Sequence, residues 1–233
     1  MPLLELLTSA GLGSLLGVRH AFEPDHLAAV STLVTRERGS YRAALLGACW
    51  GLGHTLSLVV VGAALIALRA EMPRRVSNLF ELGVAAMLVG LGIRALVLAA
   101  RQGPEGPSRV HHHGHTTHQH PGVPAHVHMG RWTLARRPLL VGAVHGLAGS
   151  GALTALVLAT LPTATARLAY ISLFGLGSTV GMAALSGLLG WPLARLGSNP
   201  ALGRLVSLAV GCFSIVLGVV WAYPLLAPLL QGL

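Results

Sequence analysis

The chain has 233 residues, of which 53% are hydrophobic and only 10% are charged, and its formal net charge is +9. A soluble domain carries about 25% charged residues, so this composition excludes an ordinary soluble domain and predicts an all-α polytopic membrane protein. The positive charge does not indicate nucleic-acid binding, because it comes from arginines in short segments between apolar runs, where membrane proteins concentrate basic residues.

Six apolar segments are each long enough to cross about 30 Å of hydrocarbon as a helix. They are predicted near residues 3–34, 43–68, 77–100, 138–161, 168–190 and 203–228. The first is too long for a straight crossing, since about 32 helical residues would extend roughly 48 Å. We therefore expect it to tilt strongly, to kink or to contain a non-helical segment.

The first segment carries the motif His20-Ala-Phe-Glu23-Pro24-Asp25-His26. Ionisable side chains at membrane depth cost roughly 2.5–3.5 kcal/mol each, which favours a functional role. Imidazole and carboxylate groups together are suitable ligands for a first-row divalent metal. Pro24 clashes with the His20 carbonyl, so we expect the helix to break there, to free that carbonyl and to turn His20, Asp25 and His26 toward one ion.

A purely structural explanation of this motif pairs Arg19 with Glu23 one turn later and assigns the histidines to packing. So many ionisable groups in one short stretch are a large cost for structure alone, which favours metal binding.

The second and third segments each add one polar candidate. His54 lies in Gly51-Leu-Gly-His54-Thr and is interpreted as a metal ligand or its support, or else as an interhelical hydrogen-bond partner. Arg94, in the third segment, is a candidate counter-charge to a carboxylate.

The segment between the third and fourth spans, residues 101–137, is rich in histidine. Such tracts bind metal without folding, so we predict a loop that buffers incoming metal or collects metal for export. Its candidate ligands are His111, His112, His113, His115, His118, His120, His126 and His128.

The two halves of the chain, residues 1–100 and 138–233, resemble each other. The residue pairs that align are Gly17 with Gly142, His20 with His145, Gly51 with Gly175, His54 with Ser178, and Leu82 with Leu208, at offsets of 124 to 126. Each half has an odd number of spans, so the second half must insert upside down, giving two inverted three-helix repeats of the kind found in transporters.

The second half has no acidic residue near His145. Ser150 and Gly151 stand where the first half has Asp25 and His26. The second half is therefore expected to supply one imidazole and a hydroxyl, and a packing role for His145 is the alternative.

The distribution of arginines predicts the orientation of the chain in the membrane. Ten arginines flank the spans on the face that holds the central loop and four on the opposite face. The richer face is expected to be cytoplasmic, which gives a multi-pass protein of the cytoplasmic (inner) membrane with both termini outside.

The chain resembles the nickel/cobalt transporter family, whose His-x4-Asp-His motif matches His20, Asp25 and His26 and whose Leu-Gly-His-Ser/Thr motif matches Leu52 to Thr55. His145-Gly-Leu-Ala-Gly-Ser150 is most similar to the urease-accessory nickel permease branch. The second-half motifs of larger members, which contain acids, are absent here. The resemblance implies a permease for Ni²⁺ or Co²⁺, with Zn²⁺ acceptable to the same ligands. A related efflux branch carries a histidine-rich loop, so both uptake, which we favour, and efflux stay open.

Other functions fit the sequence less well. An intramembrane serine protease would need a base close to Ser150, and a rhomboid-like arrangement would place a histidine in the sixth span, which has none. A sulfur-oxyanion transporter conflicts with the acidic centre, and a pure metal sensor is a further alternative.

We therefore expect no enzyme activity, no cofactor apart from the transported ion, and no P-loop ATPase. The lipid bilayer and the metal ion are the expected partners, and a cytosolic metallochaperone and a homo-oligomer stay open.

Overall fold

The computed structural model describes residues 3–35, 39–101, 109–113, 116–120, 126–129, 132–196 and 199–230. The helices in these ranges are α1 (Leu3–His20), α2 (Pro24–Val34), α3 (Ser40–Leu68), α4 (Arg74–Ala100), α5 (Arg136–Thr160), α6 (Ala164–Leu196) and α7 (Pro200–Leu230). Five of them, α3 to α7, are long and apolar enough to cross a membrane. The prediction of a multi-pass helical membrane protein is therefore confirmed, with five such helices rather than six.

The difference arises in the first predicted span, which is divided into α1 and α2. Helix α1 ends at His20, residues 21–23 form a turn, and Pro24 occupies the first turn of α2. Proline is well suited to this position because the first helical residues have no intrahelical partner for a backbone N–H. The predicted break at Pro24 is therefore confirmed.

One detail of that prediction was wrong. The His20 carbonyl is not released by the break, because it accepts a hydrogen bond of 3.0 Å from the backbone N–H of Glu23. The turn closes on itself with bonds between residues three apart, which satisfies the backbone groups that the interrupted helix leaves unpaired.

The described parts of the central loop form two hairpins. Strand β1 (Arg109–His113) pairs antiparallel with β2 (Thr116–His120), and β3 (His126–Met129) pairs antiparallel with β4 (Trp132–Ala135). We had predicted no regular structure here. Valine and threonine recur in these strands, and their branched side chains favour extended backbone.

Helix α3 is central in the bundle and packs against α5 and α6, while α1 packs against α6 and α4 against α7. Helix α2 contacts α4, α6 and α7, which directs its first turn toward the middle of the bundle. The main apolar core contains Val30, Trp50, Leu88 and Met182, each at most 1% exposed.

Glycines let these helices approach closely, and their contacts occur in matched pairs. A Cβ on Gly17 would collide with the Phe174 carbonyl, and a Cβ on Gly142 would collide with the Trp50 carbonyl. The first pair joins α1 to α6, and the second joins α5 to α3. Such contacts hold backbones together without polar side chains.

Two direct hydrogen bonds join positions that the sequence alignment of the halves made equivalent. The Thr55 and Thr179 hydroxyls are 2.9 Å apart between α3 and α6. The Ser214 hydroxyl donates to the Leu88 carbonyl at 2.7 Å between α7 and α4. Each of these two helix pairs runs antiparallel, as the α3 to α6 contacts of Gly47 with Ser186 and of Gly51 with Thr179 illustrate.

Candidate metal site

The break between α1 and α2 determines where the acidic motif points. Glu23 precedes α2 in extended conformation, with φ −66° and ψ 151°. Asp25 and His26 then begin a new helix whose direction is independent of α1, and both are buried, at 5% and 0% exposed. An anionic side chain in the first turn of a helix is also favoured by the helix dipole.

Asp25 lies between two histidines from different parts of the chain. Its Oδ1 is 3.1 Å from His26 Nδ1, and its Oδ2 is 2.7 Å from His145 Nε2. His145 is 3% exposed and is carried by α5. The carboxylate is thus held between an imidazole of the first half and one of the second.

His20 and His54 complete the cluster on the other side of His26. The ring centroids of His20 and His26 are 4.4 Å apart, those of His20 and His54 are 5.3 Å apart, and those of His26 and His54 are 5.5 Å apart. His54 lies on α3 and is 0% exposed. All four histidines of the chain outside the central loop therefore meet at one place, with Asp25 among them.

Several ring nitrogens in this cluster have no hydrogen-bond partner among the described residues. They are His26 Nε2, His145 Nδ1 and both nitrogens of His54. A buried polar atom without a partner costs about 1–3 kcal/mol, and the interhelical hydrogen bond considered for His54 is not formed. Unpaired imidazole nitrogens facing one another have the donor chemistry that a divalent transition metal needs.

The ligand atoms form two groups of three that could hold a metal. His20, His26 and His54 form one group, and Asp25, His26 and His145 form the other, with the atoms of each group within 4.8 Å of one another. All five residues proposed as ligands from the sequence thus belong to one group or the other.

Two aromatic side chains that we had not predicted line the cluster. The Trp50 ring is 5.3 Å from the His26 ring and 5.8 Å from the His145 ring, and the Phe174 ring is 5.3 Å from the His20 ring. Each precedes one of the two Gly-Leu-Gly repeats, at Gly51 and Gly175. That shared position was the sequence signal for them.

The supporting residues of the motif are arranged differently from expectation. Glu23 pairs with His20, with Oε2 3.0 Å from Nδ1, and the considered partner Arg19 is exposed. Arg94 is also exposed, on α4, and it takes part in none of the salt bridges found among the described residues.

Ser150 does not face the cluster as a ligand. Its hydroxyl donates to the Leu147 carbonyl at 2.6 Å, one turn back on α5. Because His145 pairs with Asp25, it is not engaged as a base for this hydroxyl, which argues against the serine protease alternative.

The structure describes the backbone of seven of the eight loop histidines, within β1, β2 and β3. His115 lies outside the described residues. The proposed role of the loop in metal capture stays a prediction.

A cluster of imidazoles and one carboxylate inside a helical membrane bundle is the arrangement expected of a membrane protein that binds metal ions. Comparison with known proteins agrees with this class. The family model described as high-affinity nickel-transport protein (NicO) matches residues 6–223. The chain belongs to this nickel-transport family.

Individual relatives were also found. The chain is 33% identical over 226 residues to the urease accessory protein UreH of Bacillus sp. (strain TB-90). The aligned region covers 97% of this chain and 95% of that protein. Two Arabidopsis thaliana proteins also match. Chloroplast protein FOR GROWTH AND FERTILITY 2 is 25% identical over 80% of this chain, and Chloroplast protein FOR GROWTH AND FERTILITY 1 is 28% identical over 79% of it. The chain spans about half the length of each of these two proteins. No solved structure matches.

These findings confirm the resemblance identified from the His20 to His26 motif, including its similarity to the urease-accessory branch. They also confirm that the chain belongs among metal-ion transport proteins of the membrane rather than among enzymes.

Proposed function

We propose that this protein is a secondary permease that carries Ni²⁺ or Co²⁺ across the membrane, in the direction of uptake. The observation that carries the proposal is the buried meeting of Asp25 with His20, His26, His54 and His145. The family model and the similarity to a urease accessory protein support nickel as the substrate.

The donor set supports a transition metal over a hard ion. Imidazole nitrogens suit Ni, Co, Zn and Cu, whereas Mg²⁺ and Ca²⁺ require oxygen ligands. The cluster has one carboxylate and no cysteine, which disfavours Cu(I). Zn²⁺ is compatible with the same donors and is therefore a competitor to be measured.

Uptake of a dication needs no ATP. Moving two charges through about 100 mV releases roughly 4–5 kcal/mol, which corresponds to accumulation of about a thousandfold at 1.4 kcal/mol per decade. A membrane potential with the negative side in the cytoplasm is therefore a sufficient driving force. Efflux would need exchange for another ion.

The bundle is proposed to consist of two inverted repeats. The first contains the broken first segment, α1 and α2, with α3 and α4, and the second contains α5, α6 and α7. The contacts of Thr55 with Thr179 and of Leu88 with Ser214 support this proposal. Equivalent residues of two repeats can touch each other only near the axis that relates the repeats. The antiparallel course of α3 and α6 supports inversion. Transporters of this kind bind substrate near the midplane, at the interface of the repeats.

We further propose the orientation predicted from the arginines, with the histidine-rich loop in the cytoplasm. In that position it would retain incoming metal or pass it to a metallochaperone. The test uses a variant in which both native cysteines are replaced, expressed in intact cells. A membrane-impermeant maleimide should label this variant when it carries Glu71→Cys but not when it carries Arg101→Cys. The opposite pattern would reverse the orientation.

The proposal is tested by flux into proteoliposomes. With an inside-negative potential, we expect Ni²⁺ and Co²⁺ to accumulate, Zn²⁺ to compete, and Mg²⁺ to be excluded. Imposing a pH gradient without a potential separates ion exchange from simple uniport. Absence of any metal flux under both conditions would refute the permease function.

Deleting residues 111–128 is expected to alter the apparent affinity or regulation of transport without abolishing it. The reason is that the proposed membrane site contains none of these residues. Initial uptake rates over a range of Ni²⁺ concentrations measure the effect. A deletion variant that inserts normally but carries no metal would make the loop essential to transport.

A further inference from the structure

The five candidate ligands divide into two groups that have only His26 in common. The first group, which we name the nitrogen station, consists of His20, His26 and His54, and the second, the carboxylate station, consists of Asp25, His26 and His145. We propose that a transported ion occupies these two stations in succession and that His26 hands it from one to the other. This inference rests on the proposed transport of metal ions.

One ion cannot engage all five side chains in the observed arrangement. Ligand atoms around a single transition metal lie about 2.1 Å from it and so within about 4.2 Å of one another. Among the described residues, the two groups of three each have all their ligand atoms within 4.8 Å of one another, and no such group contains all five.

His26 has one ring nitrogen for each station. Its Nδ1 lies 3.1 Å from Asp25 Oδ1, on the side of the carboxylate station. Its Nε2, at the far edge of the same ring, has no hydrogen-bond partner among the described residues, and neither nitrogen of His54 has one either. Because Nδ1 lies beside Asp25, Nε2 is the nitrogen of His26 that is left for the nitrogen station.

The stations differ in how far their side chains reach the surface of the helical bundle. The His20 side chain is 17% exposed and pairs with Glu23, which is 52% exposed. In contrast, Asp25, His26 and His145 are 5%, 0% and 3% exposed. His26 and His54 are 0% exposed as well, so His20 is the one member of either station with an appreciably exposed side chain. An arriving cation would therefore meet His20 first and would displace Glu23 from it before reaching the buried carboxylate.

The two stations also differ in the chemistry that they select. Three neutral imidazoles bind borderline transition metals and offer nothing to Mg²⁺ or Ca²⁺. The carboxylate station adds a negative charge, which holds any dication more firmly in a medium of low dielectric constant. The metal would therefore be selected at the nitrogen station and held tightly at the carboxylate station. Two dications bound at once would share the His26 ring and repel each other, which limits the occupancy of the two stations to one ion.

The test uses the full-length protein in lipid nanodiscs, with the eight loop histidines changed to asparagine so that they do not bind the probe. Co²⁺ is titrated into this parent protein and into its His54→Asn and His145→Asn variants. Visible absorption and X-ray absorption report the number of imidazoles and the presence of a carboxylate ligand. Gel filtration verifies that each variant is folded, and uptake in proteoliposomes is measured in parallel.

We expect the parent to bind one Co²⁺ with two imidazoles and the carboxylate. His54→Asn should keep that spectrum and an affinity within about threefold, yet lower the uptake rate about tenfold or more. His145→Asn should bind Co²⁺ about tenfold or more weakly, with three imidazoles and no carboxylate, although Asp25 is still present.

If both variants alter the same spectrum and weaken binding alike, the cluster is a single site and the two stations are refuted. Binding of two Co²⁺ ions at once by the parent would also refute successive occupancy. Neither result affects the permease function, which instead fails if the parent protein moves no metal in the parallel uptake assay.

Discussion

Replacing Asp25 with asparagine is expected to lower Ni²⁺ or Co²⁺ uptake by about 100-fold or more while leaving the protein inserted in the membrane. Asp25 is the one carboxylate in either group of candidate ligands, and it also holds His26 and His145 at 3.1 Å and 2.7 Å. Loss of a residue that merely supports a ligand typically costs 10- to 100-fold, and Asp25 serves in both capacities.

The matched control is Glu71→Gln, which removes a carboxylate from the exposed segment between α3 and α4. Uptake by this variant should equal that of the unmodified protein. Initial rates in proteoliposomes, normalised to the amount of inserted protein, provide the measurement. An Asp25→Asn protein that transports at the normal rate would show that the carboxylate does not bind the ion.

The second large effect is expected from adding a single methyl group at Gly142. Its Cβ would fall on the backbone carbonyl of Trp50, which no side-chain rotation can relieve. Overpacking costs about 1–3 kcal/mol, and we expect Gly142→Ala to reach the upper end of that range. Helix α5 would be pushed away from α3, and His145 would move with it from Asp25, so uptake should fall as well.

Gly90→Ala is the control, because a Cβ at this position on α4 meets nothing within 4 Å. Alanine favours helix by up to about 1 kcal/mol over glycine, so this variant should be unchanged or slightly more stable. Thermal unfolding in detergent, followed by light scattering or gel filtration, measures the stability of the Gly142→Ala and Gly90→Ala variants. Equal stability of the two variants would contradict the close contact of α5 with α3.

The sequence was sufficient to predict the helical membrane class and the interrupted first segment. Apolar length and the scarcity of charge specify spanning helices because the bilayer leaves no other way to satisfy the backbone. Pro24 predicts an interruption because its ring is incompatible with the interior of a helix. The sequence did not predict that the His20 carbonyl would accept a hydrogen bond within the turn, from the backbone N–H of Glu23.

The identities of the ligands could be proposed from residue chemistry, since buried histidine and aspartate inside apolar segments have few structural explanations. The contacts that these side chains make with one another could not be proposed. Asp25 and His145 are 120 positions apart in sequence, yet their side-chain atoms are 2.7 Å apart. Local spacing carries no information about such a contact.

Residue chemistry was therefore enough to specify the class of protein, the break at Pro24 and the donor atoms available to a metal. Helix packing then placed these donors in two groups around His26 and brought Trp50 and Phe174 beside them. The physical reason is that apolarity and proline act through the local chain, whereas the distance between ligands depends on how closely glycine-lined helices from the two halves pack.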